Sequence, residues 1–363
     1  MIDPIMIREL TVRDRFRGVI LGTAVGYSIG LPAEGISRRR ASKLFPGRWR
    51  HRLVIKWGMV SDDTDHTVFV AQSLLAHPRS SELFAKRLSW CLRWWLLSVP
   101  ASIGLATLKS ILRLWLGVSP AHSGVYSAGN GAAMRSAPLG AFFAFSPNQL
   151  DDYVEASTRL THADPRASTG AKAIAYLSSW SIRDRLVEKP ELEDLLKVLR
   201  RAGNGDQEWT NAVRSIAIAY HQHLSVEQFA QSLGLSDGVT GYVYHTVPVA
   251  VYAWYLHFGR FEETVSAVLN CGGDTDTVGA IAGALAGGVV GEPGIPSDWL
   301  NGIYEWPRGI EVLRAIADQL AEKSHQPEAG SPVRYFWPGL LLRNVFFLVV
   351  VLVHGFRRLA PPY

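Results

Sequence analysis

Two short acidic runs are where this 363-residue chain could do chemistry. One is Ser61-Asp62-Asp63-Thr64-Asp65-His66-Thr67; the other is Gly272-Gly273-Asp274-Thr275-Asp276-Thr277. Each opens a stretch with helical spacing, so capping accounts for part of the acid: hydroxyls and carboxylates at a helix start satisfy free N–H groups and oppose the macrodipole. Three aspartates within four positions, followed by a second acidic start, are more negative charge than capping requires. Together the runs offer the carboxylates of Asp62, Asp63, Asp274 and Asp276 and the hydroxyls of Ser61 and Thr277. These are hard oxygen donors with no His pair or thiolate at ligand spacing, a set that suits Mg²⁺ or Mn²⁺ rather than structural zinc. Converging carboxylates repel; a divalent pair between them resolves the conflict and could orient a substrate and activate a water.

Three further blocks carry weaker signals. In Ser127-Ala128-Gly129-Asn130-Gly131, two glycines around an Asn let backbone N–H groups turn toward an anion, although Gly-Asn-Gly is also an ordinary turn. His162, within Thr161-His162-Ala163-Asp164-Pro165-Arg166, is a lone histidine of the kind more often structural than catalytic. Glu34 follows a glycine-spaced stretch and, taken alone, reads as a solvated loop residue.

The elements that must position these groups are helical. Gly18, Gly22, Gly26 and Gly30 stand at every fourth position, on one helix face that lets another backbone approach, and Pro32 stops the helix. Val68, Ala71, Leu74 and Leu75 mark a second helix and the Trp-rich run 83–97 a third. Residues 278–290 form another small-residue helix, with Gly279, Gly283 and Gly287 again four apart and too short a run for a membrane span. The segment 242–255 reads as strand or helix. Period-two alternation is otherwise rare, so an all-α fold of closely packed helices is expected.

Hydrophobic residues at 48% against 19% charged give a sizeable core and exclude a disordered chain. Two cysteines, Cys91 and Cys271, are too few for a secreted disulfide framework. The N-terminal MIDPIMIREL lacks the basic-then-apolar pattern of a signal peptide, so a cytoplasmic protein is expected. Residues 321–335 turn polar, with a linker placed at 326–335 between a domain at 1–325 and a hydrophobic segment at 336–363. Within that segment, residues 336–356 are long enough to cross a bilayer, but Arg343 opposes insertion by roughly 3 kcal/mol. Membrane association through this stretch and docking of it on the helical domain stand as equal alternatives.

The five blocks, in this order, resemble the ADP-ribosylglycohydrolase family, related to dinitrogenase reductase-activating glycohydrolase. The resemblance rests on Gly18–Glu34, Ser61–Thr67, Ser127–Gly140, Thr161–Ala167 and Asn270–Gly283. It implies an all-α orthogonal bundle with a dinuclear Mg²⁺ or Mn²⁺ centre at the bottom of a cleft. By matching position it implies Ser61, Asp62, Asp63, Asp274, Asp276 and Thr277 as metal ligands, with Glu34 and Asp63 catalytic. Ser127, Ala128, Gly129, Asn130 and Gly131 would hold diphosphate and ribose, and His162 would line the same pocket. The implied reaction is hydrolysis at C1″ of the distal ribose of an ADP-ribosylated protein or other ADP-ribose conjugate, with arginine as the acceptor of the bacterial members; the alternatives are the same chemistry on serine, nucleic acid or a small conjugate, or a non-catalytic ADP-ribose-binding protein on the same fold.

One departure stands out: the family usually has Gly-Asp where this chain has Gly26-Tyr27. The missing carboxylate bears on acceptor choice, metal support and activity. Between Glu34 and Ser61, moreover, lie Arg38, Arg39, Arg40, Lys43, Arg48, Arg50, Arg52 and Lys56 without one acid. That interval is either a solvated basic loop or a rim of the site that meets an acidic target, nucleic acid or a membrane surface.

Overall fold

The computed structural model describes residue 7 and residues 9–203, 205–326 and 328–361; most of the MIDPIMIREL stretch lies outside the described residues. Among those residues the chain folds into seventeen α-helices and one two-stranded antiparallel ribbon. The first half comprises α1 (Val12–Gly30), α2 (Arg38–Leu44), α3 (Asp62–Ala76), α4 (Ser81–Leu97), α5 (Leu105–Trp115), α6 (Ala137–Phe142), α7 (Leu150–Arg159) and α8 (Pro165–Arg183). The second half comprises α9 (Leu192–Ala202), α10 (Gln207–His221), α11 (Val226–Ser232), α12 (Val243–Leu256), α13 (Phe261–Leu269), α14 (Thr275–Val290), α15 (Ser297–Asn301), α16 (Ile310–Ser324) and α17 (Gly339–Arg357). The ribbon pairs β1 (Ile36–Ser37) with β2 (Gly272–Gly273). The all-α expectation holds, and the ambiguous segment 242–255 is helix α12.

A seam between α1 and α14 organises the rest. Thr11 and Asp14 form a reciprocal capping box that starts α1. The helix then presents Gly18, Gly22, Gly26 and Gly30 to Gly287, Gly283, Gly279 and Thr275 of α14, an antiparallel match. A Cβ on Gly22 would stand 2.2 Å from the Gly283 carbonyl oxygen, and one on Gly26 2.0 Å from that of Gly279. Only hydrogen fits there, so the two backbones touch along four turns. The consequence is positional: the C-terminal end of α1, which leads through a 3₁₀ turn to Glu34, lies against the N-terminal end of α14, which carries Asp274 and Asp276. Thr275 Oγ1 donates to the Gly30 carbonyl at 2.9 Å, and Gly35 N–H donates to Gly273 O at 2.7 Å to begin the ribbon. Helix α3 packs on α1 beside them.

The polar stretch after the domain begins later than its composition indicates, because α16 runs through residues 321–324. Residues 328–336 have no helix or strand but lie on α3: Gly330 N–H donates to Leu75 O and Gln72 Nε2 to Val333 O. The hydrophobic segment then forms α17, long and apolar enough to cross a membrane, with one face packed on the domain.

A buried acidic cluster as candidate active site

Five carboxyl groups meet where α1, α3 and α14 converge: Glu34, Asp62, Asp63, Asp274 and Asp276. Asp63 and Asp276 are buried, and Glu34, Asp62 and Asp274 are partly buried. Burial is the largest influence on each and raises all five pKa values; the neighbouring carboxylates raise four of them further. Asp62 is pushed up to about 8, first by burial and then by Glu34 and Asp65. Asp274 is eased back by Asn130, whose Nδ2 donates to Asp274 Oδ2 at 2.6 Å. Such a cluster is costly without a compensating charge.

Capping does not explain it. Ser61 occupies the N-cap position of α3 and Asp274 that of α14, yet neither side chain caps its helix. Asp62 Oδ1 and Asp63 Oδ1 are buried with no hydrogen-bond partner. Thr277 Oγ1 donates to Asp63 Oδ2 at 3.3 Å, linking the two acidic runs. Among the described residues, no three His, Cys, Asp or Glu side chains close around one point tightly enough to ligate an ion as they stand. The donor set is nevertheless all hard oxygen, with orphaned acceptors turned inward, and that chemistry fits a divalent cation. The third aspartate of the first run is spent elsewhere. Asp65 pairs with Arg308 at 2.5 Å and accepts from Trp95 Nε1 at 2.7 Å, all three buried.

The Ser127–Gly131 loop reaches the cluster through Asn130, whose amide also donates to Thr246 Oγ1 at 3.0 Å. His162 packs beneath this loop: a Cβ on Gly129 would meet His162 Nε2 at 3.2 Å, and one on Gly131 would meet Cε1 at 3.0 Å. Burial and Arg135 hold His162 down to about 3, so its ring is neutral, and Nδ1 is bonded to Thr161 Oγ1 at 2.8 Å. The structure thus brings Glu34, Asp62, Asp63, Asp274, Asp276 and Thr277 into one cluster, with Ser61 buried at the head of α3 beside Asp62, the loop joined through Asn130 and His162 packed beneath it.

Three features were not evident from the sequence. The segment 237–243 weaves between the loop and the ribbon. Asn130 N–H donates to Gly241 O, Val243 N–H to Ala128 O, and Asp274 N–H to Val239 O. Gly238 and Gly241 are its only sequence signal; a Cβ on Gly238 would lie 2.5 Å from Gly273 N. Arg135, buried, ties His66 to Thr161 and Ser157 beneath the loop. Arg358, from the end of α17, donates to the Glu34 carbonyl and favours charge on Glu34 and Asp276.

Tyr27, in place of the usual aspartate, is fully buried beside Asp62. Its hydroxyl favours the charged form of Asp62 but makes no hydrogen bond within normal limits. Burial and the surrounding acids keep the phenol protonated. Part of the basic interval is tied into the fold: Arg38 pairs with Glu227, Arg48 with Glu262 and Asp298, and Arg52 donates to backbone carbonyls.

Residues 8–330 match the ADP-ribosylglycohydrolase family. The chain is 28% identical over 320 residues to the ADP-ribosyl-(dinitrogen reductase) glycohydrolase of Rhodospirillum rubrum, covering 85% of this chain and 98% of that one. It is 24% identical over 341 residues to the ADP-ribosylarginine hydrolase Tri1 of Serratia proteamaculans, covering 87% and 81%. Among solved structures, a chain of an ADP-ribosylglycohydrolase-related protein complex superposes with a TM-score of 0.62 at 27% identity, covering 86% of this chain and 99% of that one.

Proposed function

The chain belongs to the ADP-ribosylglycohydrolase family of hydrolases, and we propose that it is a cation-dependent enzyme that releases ADP-ribose from ADP-ribosylated arginine on proteins. The observation that carries the reading is the buried acidic cluster with orphaned oxygens beside a glycine-rich loop. The name of the Serratia relative supports arginine as acceptor.

Asp62, Asp63, Asp274 and Asp276, with Ser61 and Thr277, would hold two Mg²⁺ or Mn²⁺ ions. Bound there, they would supply positive charge that orients the ribose and lowers the pKa of a water. The protein's own groups do the rest. Asn130 fixes the Asp274 carboxylate, and the Ser127–Gly131 loop, held beside the cluster by that contact, would take the diphosphate and ribose. His162, uncharged, supports that loop and closes the pocket floor. Glu34, with a raised pKa, takes a proton from the attacking water and returns it to the leaving guanidino nitrogen as the C1″–N bond breaks and the C1″–O bond forms. The acidic surroundings favour the electron-poor carbon of an oxocarbenium-like transition state.

The test is release of ADP-ribose from arginine- and serine-modified peptides with Mg²⁺, Mn²⁺ or chelator, for the native chain and Asp274→Asn. Cation-dependent release from the arginine peptide, lower by at least about 10²-fold in the variant, is expected. Release from serine alone would overturn the acceptor, and release unaffected by chelator would overturn the cation.

A further inference from the structure

Helix α17 has two unlike faces. Its inner face follows a helical stripe: Leu340, Arg343, Asn344 and Phe347 are buried, and His354 Nε2 meets the Pro32 carbonyl at 3.0 Å. Arg343 pairs with Glu305 at 2.6 Å, each side chain only 4% exposed, and also donates to Val60 O. Asn344 Nδ2 donates to both Ser98 oxygens at 2.9 Å. These polar groups have protein partners, and inserting α17 across a bilayer would strip them of those partners. The outer face is apolar throughout, with Leu342 71%, Phe346 56%, Val353 63% and Phe356 71% exposed and Val349 and Leu359 beside them.

The two ends of that face differ from its middle. At the N-terminal end half-exposed tryptophans cluster: Trp94 stacks edge-on against Trp337 at 5.5 Å and against Trp115 at 6.4 Å, and Arg93 covers Trp90 at 4.7 Å. The C-terminal end opens onto a hollow of about 710 Å³ lined by Lys43, Arg50, Arg52, Lys56, Arg357 and Arg358, with no carboxylate among its described lining residues. A helix about 28 Å long, apolar outward, with tryptophans at one end and a cationic hollow at the other, has the pattern of an element lying in the headgroup–acyl boundary.

We infer that α17 seats the folded enzyme on a membrane, lying in the plane of an anionic lipid surface with its outer face in the acyl boundary and the basic hollow taking phospholipid headgroups. The seat deepens the alternative that the sequence left open: docking on the domain and contact with lipid use opposite faces of the same helix. A bilayer suits the surface better than a second copy of the chain, because two such ends brought together would place cations against cations or against apolar side chains. The inference does not depend on the chemistry of the acidic cluster.

The test is co-sedimentation of the full chain with vesicles of phosphatidylcholine alone or with 30% phosphatidylserine, roughly the composition range over which polybasic surfaces respond. Expected is binding to the anionic vesicles that falls with added salt and is at least about tenfold weaker on phosphatidylcholine. The outer-face variant Phe346→Glu/Val353→Glu should lose binding, and Arg50→Glu/Lys56→Glu should lose the preference for anionic lipid; both should keep hydrolytic activity on a small soluble conjugate and native helix content. Alkaline carbonate should release the chain from membranes. Equal binding to both lipids would overturn the headgroup hollow, and retention after carbonate would overturn the in-plane seat. Vesicle binding unchanged in the outer-face variant would overturn the whole inference, as would a soluble dimer that the variant dissolves with no vesicle binding by the native chain.

Discussion

The molecule buries charge in two neighbouring places and treats it oppositely. Beneath α17, the Arg343 guanidinium meets the Glu305 carboxylate, Asn344 meets Ser98, and each buried group finds a partner of complementary chemistry. Around Asp62 and Asp63, five like charges crowd together, oxygens are orphaned and every carboxyl resists ionising. The two sites are nearly continuous, because Val60, which both Glu305 and Arg343 contact, directly precedes Ser61. A completed polar network reads as structure. An incomplete one, built from like-charged carboxyl groups with orphaned oxygens, reads as half of an interaction whose other half arrives from solution.

The contrast can be broken by substitution. The largest effect expected is on activity: Asp276→Asn should lower ADP-ribose release by about 10³-fold or more with helix content unchanged, measured in a cation-supplemented peptide assay. On the paired side, Arg343→Ala should cost about 3–5 kcal/mol by leaving Glu305 buried and alone. Hydrogen exchange should then rise over 339–358 first, while α1 and α14 stay protected. Arg343→Met with Glu305→Leu should recover most of that loss. Gly22→Ala leaves both polar clusters intact but forces a methyl group into the Gly283 carbonyl, so denaturant unfolding should show a loss of about 3 kcal/mol together with reduced activity.

The smaller effects separate the two sites by sign. Asp62 titrates near 8 in the fold against an ordinary 3.8. Its folded pKa is therefore the higher one: the stabilisation is full below about pH 4 and is lost as pH rises through 8. Thermal melts of chelated protein should show this decline across pH 4–8, and added Mg²⁺ or Mn²⁺ should flatten it. Asp63→Asn should stabilise the chelated protein by about 1 kcal/mol by removing one repelling charge. Glu305→Gln, also one carboxylate fewer, should destabilise it.

How much of this was legible in sequence follows the same division. The glycine seam was readable because its period of four survives in the chain and only one packing satisfies it. The acidic runs were readable because their charge exceeded what helix starts need. Asp65 was not separable from Asp62 and Asp63 by composition: its consumption by Arg308 depends on a contact between residues 243 positions apart. Arg135 and segment 237–243 were missed for the same reason, since a buried arginine and a Gly-containing loop look like surface features in one dimension. The tail stayed ambiguous because a docked amphipathic helix and a membrane span share length and hydropathy. What distinguishes them is Glu305, which no local pattern links to Arg343.

The most direct test of the central claim is titration of Mn²⁺ into the chelator-stripped protein, followed by calorimetry, for the native chain and Asp63→Asn. About two ions should bind the native chain, with a rise in melting temperature, and the variant should lose both effects. No binding to the native chain, or undiminished binding to the variant, would contradict it.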